Sequence, residues 1–533
     1  MHTPTSSSMP VSLQISYLYM QWSIHDGKPS RYAAMLHFLY LWMWDGKNQE
    51  SFPIKPASDL MMMAENQDKG IRAVALCAFV FMAIRHGHEL PSVMTEKIQQ
   101  WTENNLIKEE LADVQKYLFA SVTGIKMQKQ IQENVLAKIQ QEQEAMLERN
   151  ESGENGDNNN EDAEESEDKL MSYINKLNEL VKDGLDINVS NFITNCKGDF
   201  FLELRNWLIE FDPNTPLFQN MGQHEQLTKS IFAHTEMCDL DKHALLQVFF
   251  RTNKLDIIGP HIPPHLMDSM MQEDDDTRKK MQNDEYDKNA YRYAMQNLFR
   301  LFSFSPWRGE MTNPFTADYI ITDCSILAPL INDNFLWNIA TLLIRHSMWG
   351  HPATYLRTWM QRNGETEEAL QYLALCDKHL GNNKERLYCL LRLEEHNPDD
   401  LQLSHDTGLC LIKEERYEDA LKRFFRLEVN ETHLHSSARA IAWCSMMLGN
   451  MERAQRYYNK LLNWKSGPSW EDLLNAGHCT WLQGNPVEAS ILYGRYLAKH
   501  KDNLKAWDED RAMLLSHGIS ADDIELMRKT ITE

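Results

Sequence analysis

Hydrophobic residues recur at helical spacing along most of this chain, and no alternating pattern predicts a strand. Residues 32–44 and 73–84 are apolar on nearly every side, which is typical of helices buried in a core. Apolar residues four apart predict a long amphipathic helix over 127–139. A further helix is predicted to begin at Asp199, whose carboxylate can cap it, and to end before Pro213. The pattern predicts an all-α protein.

A longer period is superimposed on the last third of the chain. It divides into four units, 367–400, 401–434, 435–469 and 470–503, each with a cysteine as its tenth residue. The matching columns are Cys376, Cys410, Cys444 and Cys479 at position 10, Gly381, Glu415, Gly449 and Gly484 at position 15, and Leu390, Phe424, Tyr458 and Tyr493 at position 24. A fixed period of this length indicates a helical solenoid, and glycine at position 15 suits the left-handed end of a helix. The cysteines are predicted to be buried packing residues, because stacked repeats lie about 8–10 Å apart and cannot share one metal ion.

These columns resemble the tetratricopeptide repeat (TPR). The matching residues are Gly408 and Gly477 at position 8, Ala420, Ala454 and Ala489 at position 20, and Pro398 near position 32. The departures are Ala374 and Ala442 at position 8 and Arg386 at position 20. An earlier unit, 333–366, keeps the length but carries Pro352 at position 20, and it is interpreted as a degenerate repeat. The resemblance implies stacked pairs of antiparallel helices that bind a protein partner.

Five segments are predicted. They are a helical N-terminal lobe (11–149), a disordered acidic linker (150–169), a second helical region that forms a cap or degenerate repeats (170–332), a TPR-like α-α superhelical solenoid (333–503) and C-terminal capping helices (504–533). The linker contains nine acidic residues, one lysine and no aromatic residue, so it has too little apolar surface to fold by itself. It serves as a solvated spacer or attracts basic partners. Capping helices are expected because an open solenoid end would leave apolar surface in water.

The TPR resemblance also implies a binding groove. In that family, positions 2, 5, 9, 12 and 13 of the first helices face a concave surface. The candidate partner-binding residues are His405, Leu409, Lys413, Arg439, Trp443, Met446, Met447, His478 and Trp481. The two tryptophans are the residue type enriched at binding hot spots, although both could instead pack against the cap or a neighbouring lobe. Because Lys413 and Arg439 make a thin cationic clamp, the expected ligand is an apolar or amphipathic peptide or helix, and an acidic C-terminal tail is disfavoured.

Composition narrows the function further. The formal charge of −23 and the pI near 5.3 oppose binding to nucleic acid and to anionic membranes. Nine cysteines without a C-x-x-C motif indicate a reducing compartment, and residues 1–10 lack the features of a secretory signal. With apolar runs shorter than the ~20 residues of a membrane span, the chain is expected to be cytoplasmic. No catalytic or cofactor motif is found, and His86 and His88 diverge on a helix, so no metal or cofactor is predicted.

The leading hypothesis is therefore a non-enzymatic scaffold or adaptor that holds a protein partner in the repeat groove. One alternative is an enzyme or toxin-like activity in residues 11–332, regulated by the repeats. A less favoured alternative is RNA binding, because related helical repeats read RNA. Homo-oligomer formation is a further possibility that the sequence leaves open.

Overall fold

The computed structural model describes residues 9–45, 51–131, 171–172, 181, 184–214, 225–252, 270, 272–316, 320–429, 434–499 and 504–532. The predicted linker and the part of the predicted helix 127–139 beyond residue 131 lie outside the described residues. Within the described residues the chain is all-α, as the sequence predicts. The chain divides into two compact units, residues 1–342 and 343–533. The finer division into five segments stays a prediction.

The first unit begins with six helices. They are α1 (Val11–His25), α2 (Arg31–Trp42), α3 (Ile54–Met63), α4 (Lys69–His86), α5 (Ser92–Trp101) and α6 (Asn105–Ile131). Ser30 and Asp68 cap α2 and α4 through side-chain oxygens that accept backbone N–H groups. Every residue of α4 from Ala73 to Ala83 is buried, since α2, α3, α6 and a later helix of the same unit surround it.

The described residues of this unit form five further helices. They are α7 (Val189–Asn195), α8 (Glu225–His234), α9 (Asp239–Thr252), α10 (Asp275–Lys288) and α11 (Ala290–Phe304). Helix α11 packs against both α4 and α6. The helix predicted from Asp199 to Pro213 is wrong, because two short 3₁₀ turns, Asp199–Leu202 and Leu204–Trp207, occupy that stretch. The Trp207 indole donates to the carbonyl of Phe201 at 2.9 Å, so a buried aromatic cluster holds a compact turn in place of a helix.

The apolar helix that begins at Lys69 is longer than its predicted apolar run. With the short turn that follows it to Glu89, it is long and apolar enough to cross a bilayer, yet 78% of the apolar window is buried inside the protein. Burial of this extent is what the core helix of a soluble protein shows.

Buried ion pairs link the helices of the first unit. The Arg300 guanidinium is fully buried and donates to both carboxylate oxygens of Asp241 at 2.8 Å and to Asp186 at 2.7 Å. Burial opposes its charge, but the two carboxylates outweigh that effect and raise the pKa of Arg300 well above its usual value. Arg72 makes a second two-pronged pair with Glu110, with both bonds at 2.8 Å. Removing one partner of such a pair would leave a buried charge uncompensated.

Helix α12 (Asp333–Arg345) crosses the boundary between the units, and the second unit continues as helical hairpins. The helices are α13 (Gly350–Asn363), α14 (Glu367–Leu380), α15 (Asn383–His396), α16 (Leu401–Lys413), α17 (Tyr417–Leu427), α18 (Leu434–Met447), α19 (Met451–Leu462), α20 (Trp470–Leu482) and α21 (Pro486–Lys499). From α13 onward each helix contacts the next, and α16, α18 and α20 also contact one another in sequence. The period predicted from the cysteine column is confirmed, because each unit from 367 to 503 forms one hairpin.

The recurring columns of the repeat explain how each hairpin closes. All four position-15 residues have a left-handed backbone, with φ of 75° at Gly381, 76° at Gly449 and 85° at Gly484, and also 58° at Glu415. Glycine adopts this conformation without strain, whereas Glu415 does so at a steric cost. In two of the hairpins the position-8 glycine lies against the ring at position 24, Gly408 against Phe424 and Gly477 against Tyr493.

The cysteine column is buried, as its packing interpretation predicts. Cys376, Cys410, Cys444 and Cys479 each have no exposed surface and no disulfide partner. Burial raises the pKa of Cys376 to about 11 and those of Cys444 and Cys479 to about 12, which disfavours the thiolate. These thiols behave as small apolar side chains between helices.

Three short helices close the array at its C-terminal end. They are α22 (Leu504–Glu509), α23 (Arg511–Ser516) and α24 (Ala521–Thr532). Trp507 and Leu514 are fully buried, and the Trp507 ring stacks on Trp481 of the last repeat with centroids 6.4 Å apart. Helix α24 contacts α21. These helices cover apolar surface that the last repeat would otherwise expose.

Candidate protein-binding groove

A solvent-open groove of about 490 Å³ runs across the first helices of three successive repeats. Its volume lies within the roughly 300–1,000 Å³ of ordinary ligand sites. The lining residues come from α16, α18, α20 and the first capping helix: His405, Leu409, Ile412, Ser436, Arg439, Ala440, Trp443, Trp470, Glu471, Leu474, Asn475, Ala506, Glu509 and Asp510. On each helix the lining residues are three or four apart and so share one face. Contacts between α16, α18 and α20 bring these faces side by side.

The floor of the groove is apolar and aromatic. Trp443 is half-buried against the core of the last repeats, while Leu409 is 39% exposed. The Trp470 ring lies 6.1 Å from that of Tyr496, which holds it at the start of α20. Two large rings and two leucines, Leu409 and Leu474, therefore offer a partner apolar surface on rigid helices.

The central cation of the groove is already paired. Nε of Arg439 donates to Oδ1 of Asp472 at 2.7 Å, and Nη2 donates to Oδ2 at 3.2 Å and to the Ser469 hydroxyl at 2.9 Å. Burial opposes the charge of Arg439, but the hydrogen bonds and attraction from Asp472 prevail and raise its pKa. Asp472 and Ser469 also form the capping box of α20. Arg439 is therefore held by the repeat itself.

Three carboxylates line the groove. Glu471 lies in the first turn of α20, Glu509 is the last residue of α22, and Asp510 follows it. The side chain of Glu509 is 65% exposed and faces Lys505 at 3.8 Å, a distance that makes a weak pair. Asp510 is 29% exposed and accepts a hydrogen bond from the buried His478 at 3.1 Å.

The structure brings together four of the nine candidate residues named from the sequence. His405, Leu409, Arg439 and Trp443 line the groove. Lys413 is exposed on the same helix as Leu409 but is not part of the lining.

The other four candidates lie inside the second unit. Met446 is fully buried, and Met447 is half-buried against the same core. His478 is fully buried, with Nδ1 2.7 Å from the Tyr493 hydroxyl. Trp481 is 5% exposed and stacks on Trp507, so packing against the cap describes this ring, whereas Trp443 packs against the same core but stays half-buried.

Other lining residues were not among the nine candidates. Trp470 is the first residue of its repeat, directly after the capping residue Ser469, and that local signal could have identified it. Ala506, Glu509 and Asp510 belong to the capping helices. Their place in the groove depends on how the chain turns back after α21, which repeat spacing does not encode.

The described residues also form smaller cavities elsewhere. A cavity of about 430 Å³ lies between α21 and α24, lined by Trp481, Val487 and Leu526 among others. A smaller one of about 190 Å³ lies in the first unit beside His88 and Cys324. Among the described residues, no three His, Cys, Asp or Glu side chains are placed to hold a metal ion together.

No family model matches this chain, and no curated protein sequence matches it. Among solved structures, MamA from Desulfovibrio magneticus RS-1 is 13% identical, with a TM-score of 0.28 over 32% of this chain and 96% of that one. A thermophilic TPR protein from Thermus thermophilus is 16% identical, with a TM-score of 0.25 over 35% and 98%. Yeast Tom70 is 12% identical, with a TM-score of 0.18 over 98% and 99%. Scores this low carry no information on partner or activity. From its own hairpins and columns, the array in residues 367–503 is a TPR-like helical repeat.

Proposed function

We propose that this chain is a scaffold or adaptor that binds a peptide or helix of a partner protein in the groove of its repeats. The observation that carries the proposal is the groove of about 490 Å³ with Trp443, Trp470 and Leu474 on its floor. Aromatic and aliphatic side chains on rigid helices lose little conformational freedom on binding, so most of the burial contributes to affinity. Groove recognition of this kind needs no covalent chemistry.

The alternatives have less support. Buried ionised side chains of the first unit, such as Arg300 and Asp241, pair with one another, as is typical of structural ion pairs. We therefore assign no catalytic step to residues 11–332. The net charge of −23 opposes RNA binding. All nine cysteines are free, which supports a place in the reducing cytoplasm.

Site-specific photocrosslinking tests this proposal. A benzophenone amino acid replaces Leu409 in the groove of the full chain, or Ile491, which is 60% exposed on the last repeat and does not line the groove. After illumination in native lysate, mass spectrometry identifies the crosslinked partner segment. We expect one dominant segment from position 409 and a different or no product from position 491.

A matched pair of tryptophan variants supplies the control. Trp443→Ala removes the floor of the groove, whereas Trp464→Ala removes a ring that contacts His435 outside the lining. The crosslink from position 409 should disappear with the first variant and persist with the second. If both variants keep it, or if positions 409 and 491 capture the same segment, the groove is not the binding site.

A further inference from the structure

We infer that the segment bound in this groove is cationic, with lysine or arginine side chains beside its apolar ones. The inference rests on the proposed function and names the chemistry of the partner. It follows from the charges around the apolar floor, because the groove presents carboxylates to a ligand and keeps its own permanent cation paired.

The negative charge of the groove lies on three carboxylates of its lining, Glu471, Glu509 and Asp510, which together form its acidic wall. Among the described residues Glu471 makes no direct ion pair, although its charge adds to the attraction that raises the pKa of Arg439. Glu509 has a weak partner in Lys505, which is itself 82% exposed and can turn away to solvent. The second oxygen of Asp510 is not used by the bond to His478. An incoming cation would therefore meet carboxylates that are only partly satisfied.

The groove's own positive charge is compensated. Among the lining residues that the structure describes, Arg439 alone carries a permanent positive charge, and Asp472 neutralises it through two hydrogen bonds. The lining therefore has three carboxylates on its acidic wall and no unpaired arginine or lysine to balance them. An acidic ligand would have to approach these carboxylates without a cation to receive it, and like charges at short range disfavour binding.

The aromatic floor also suits a cation. Trp470 and Glu471 both line the groove, so a lysine or arginine stem can lie across the indole while its charge reaches the carboxylate. Leucine-like side chains of the ligand would occupy the space between Trp443 and Leu474. The matching ligand is an amphipathic segment with cationic residues on the edge that faces the capping helices. The net charge of −23 would attract such a segment from a distance.

An unbiased selection measures the charge of the preferred ligand. A random peptide library of about sixteen residues displayed on phage is selected against the full chain and, in parallel, against the Trp443→Ala variant. Peptides enriched on the first and lost on the second define groove ligands. We expect these to carry a net positive charge. Neutral or acidic groove ligands would overturn the inference but leave the proposed function intact, whereas enrichment that is indifferent to Trp443, or no enrichment, would overturn both.

Two double variants then locate the charge effect. Glu471→Gln with Glu509→Gln alters the wall, while Glu452→Gln with Glu488→Gln changes the net charge equally at exposed positions outside the groove. For a selected peptide, the wall variant should raise Kd about fivefold, as expected for the loss of two exposed ion pairs. The control should change Kd less than twofold, and affinity should fall with added salt. Equal weakening by both variants, or none from the wall variant, would overturn the inference.

Discussion

The close approach of the two helices in the second repeat makes a sharp prediction about Gly408. A Cβ atom placed there would lie 2.7 Å from Cζ and 2.8 Å from Cε2 of Phe424. Carbon atoms in contact prefer about 3.5–4.0 Å, so the ring would have to move by roughly 0.7 Å or more. Phe424 has no exposed surface, so its ring is enclosed by other side chains.

The magnitude follows from two opposing terms. Overpacking of a core costs about 1–3 kcal/mol, and alanine in place of glycine inside a helix gains about 1 kcal/mol. Gly408→Ala should therefore lower the free energy of unfolding by up to about 2 kcal/mol, the difference between these terms. Gly494→Ala is the control, because Gly494 lies in α21 with nothing within 4 Å of its added Cβ. That variant should raise stability by about 0.5–1 kcal/mol.

A double-mutant cycle tests whether the contact with Phe424 is the cause. Phe424→Leu alone should cost about 1–2 kcal/mol through a cavity. In the double variant the new methyl group occupies the space that the ring leaves, so the combined loss should be smaller than the sum by about 1–2 kcal/mol. The first repeat already combines alanine with leucine at these positions, Ala374 with Leu390, and both are buried.

Urea unfolding of the full chain, followed by far-UV circular dichroism, measures these differences as midpoint shifts. With a slope of about 2 kcal/mol per molar, Gly408→Ala should lower the midpoint of the repeat transition by up to about 1 M. The reasoning fails if Gly408→Ala stabilises like Gly494→Ala, or if the two losses in the double variant simply add.

Four further predictions follow from single features. Glu415→Gly should stabilise the repeats by about 1 kcal/mol, read as a raised urea midpoint, because it relieves a left-handed backbone. Arg300→Met should lower the free energy of unfolding by about 3–5 kcal/mol in the same assay, since the buried Asp241 and the half-buried Asp186 lose their cation. Burial lowers the pKa of His243 to about 4. Between about pH 6.5 and pH 4 the imidazole is protonated in the unfolded chain and neutral in the folded one, so the folded state loses stability as the pH falls. Urea titrations at different pH values should show that up to about 3 kcal/mol of stability is lost by pH 4. In His243→Gln this part of the acid-induced loss should be absent. Iodoacetamide should modify the half-buried Cys196 and Cys324 before the seven buried thiols, as counted by intact mass.

Each of these has a contrary result. An unchanged midpoint for Glu415→Gly would mean that its backbone carries no strain. Arg300→Met as stable as the parent chain would mean that the carboxylates take up protons or water freely. An identical pH profile for His243→Gln would assign the acid sensitivity to other groups. Simultaneous modification of all nine cysteines would show that the array opens as fast as the reagent reacts.

The repeat could be predicted from the sequence because the residues that define it lie close together in the chain. Position 8, position 15 and position 24 lie within one hairpin, so spacing alone connects Gly408 to Phe424. Part of the groove could be predicted for the same reason, since Leu409 and Trp443 occupy the same position in consecutive units. The spacing of residues does not show which side chains are buried by elements that are distant in the sequence. Trp481 occupies a related position on its helix, yet Trp507 stacks on it.

In the first unit, too, contacts between distant residues limit what the sequence can predict. Its helices were predicted from apolar periodicity, but the stretch after Asp199 has helical spacing and folds into 3₁₀ turns. The bond from the Trp207 indole to the Phe201 carbonyl and the packing of neighbouring rings decide that local shape. Tertiary contacts of this kind override local propensity, and a single sequence does not reveal them.

The capping helices do more than end the array, since Ala506, Glu509 and Asp510 form one wall of the groove. Arrays of tandem repeats change length when units are duplicated or deleted. In this chain, a unit inserted between α21 and α22 would separate that wall from the tryptophan floor, and the binding site would be lost even though the helices still stacked. A unit added before α14 would leave the groove intact. Descendants of this protein could therefore lengthen the array only from its N-terminal side while keeping the same ligand.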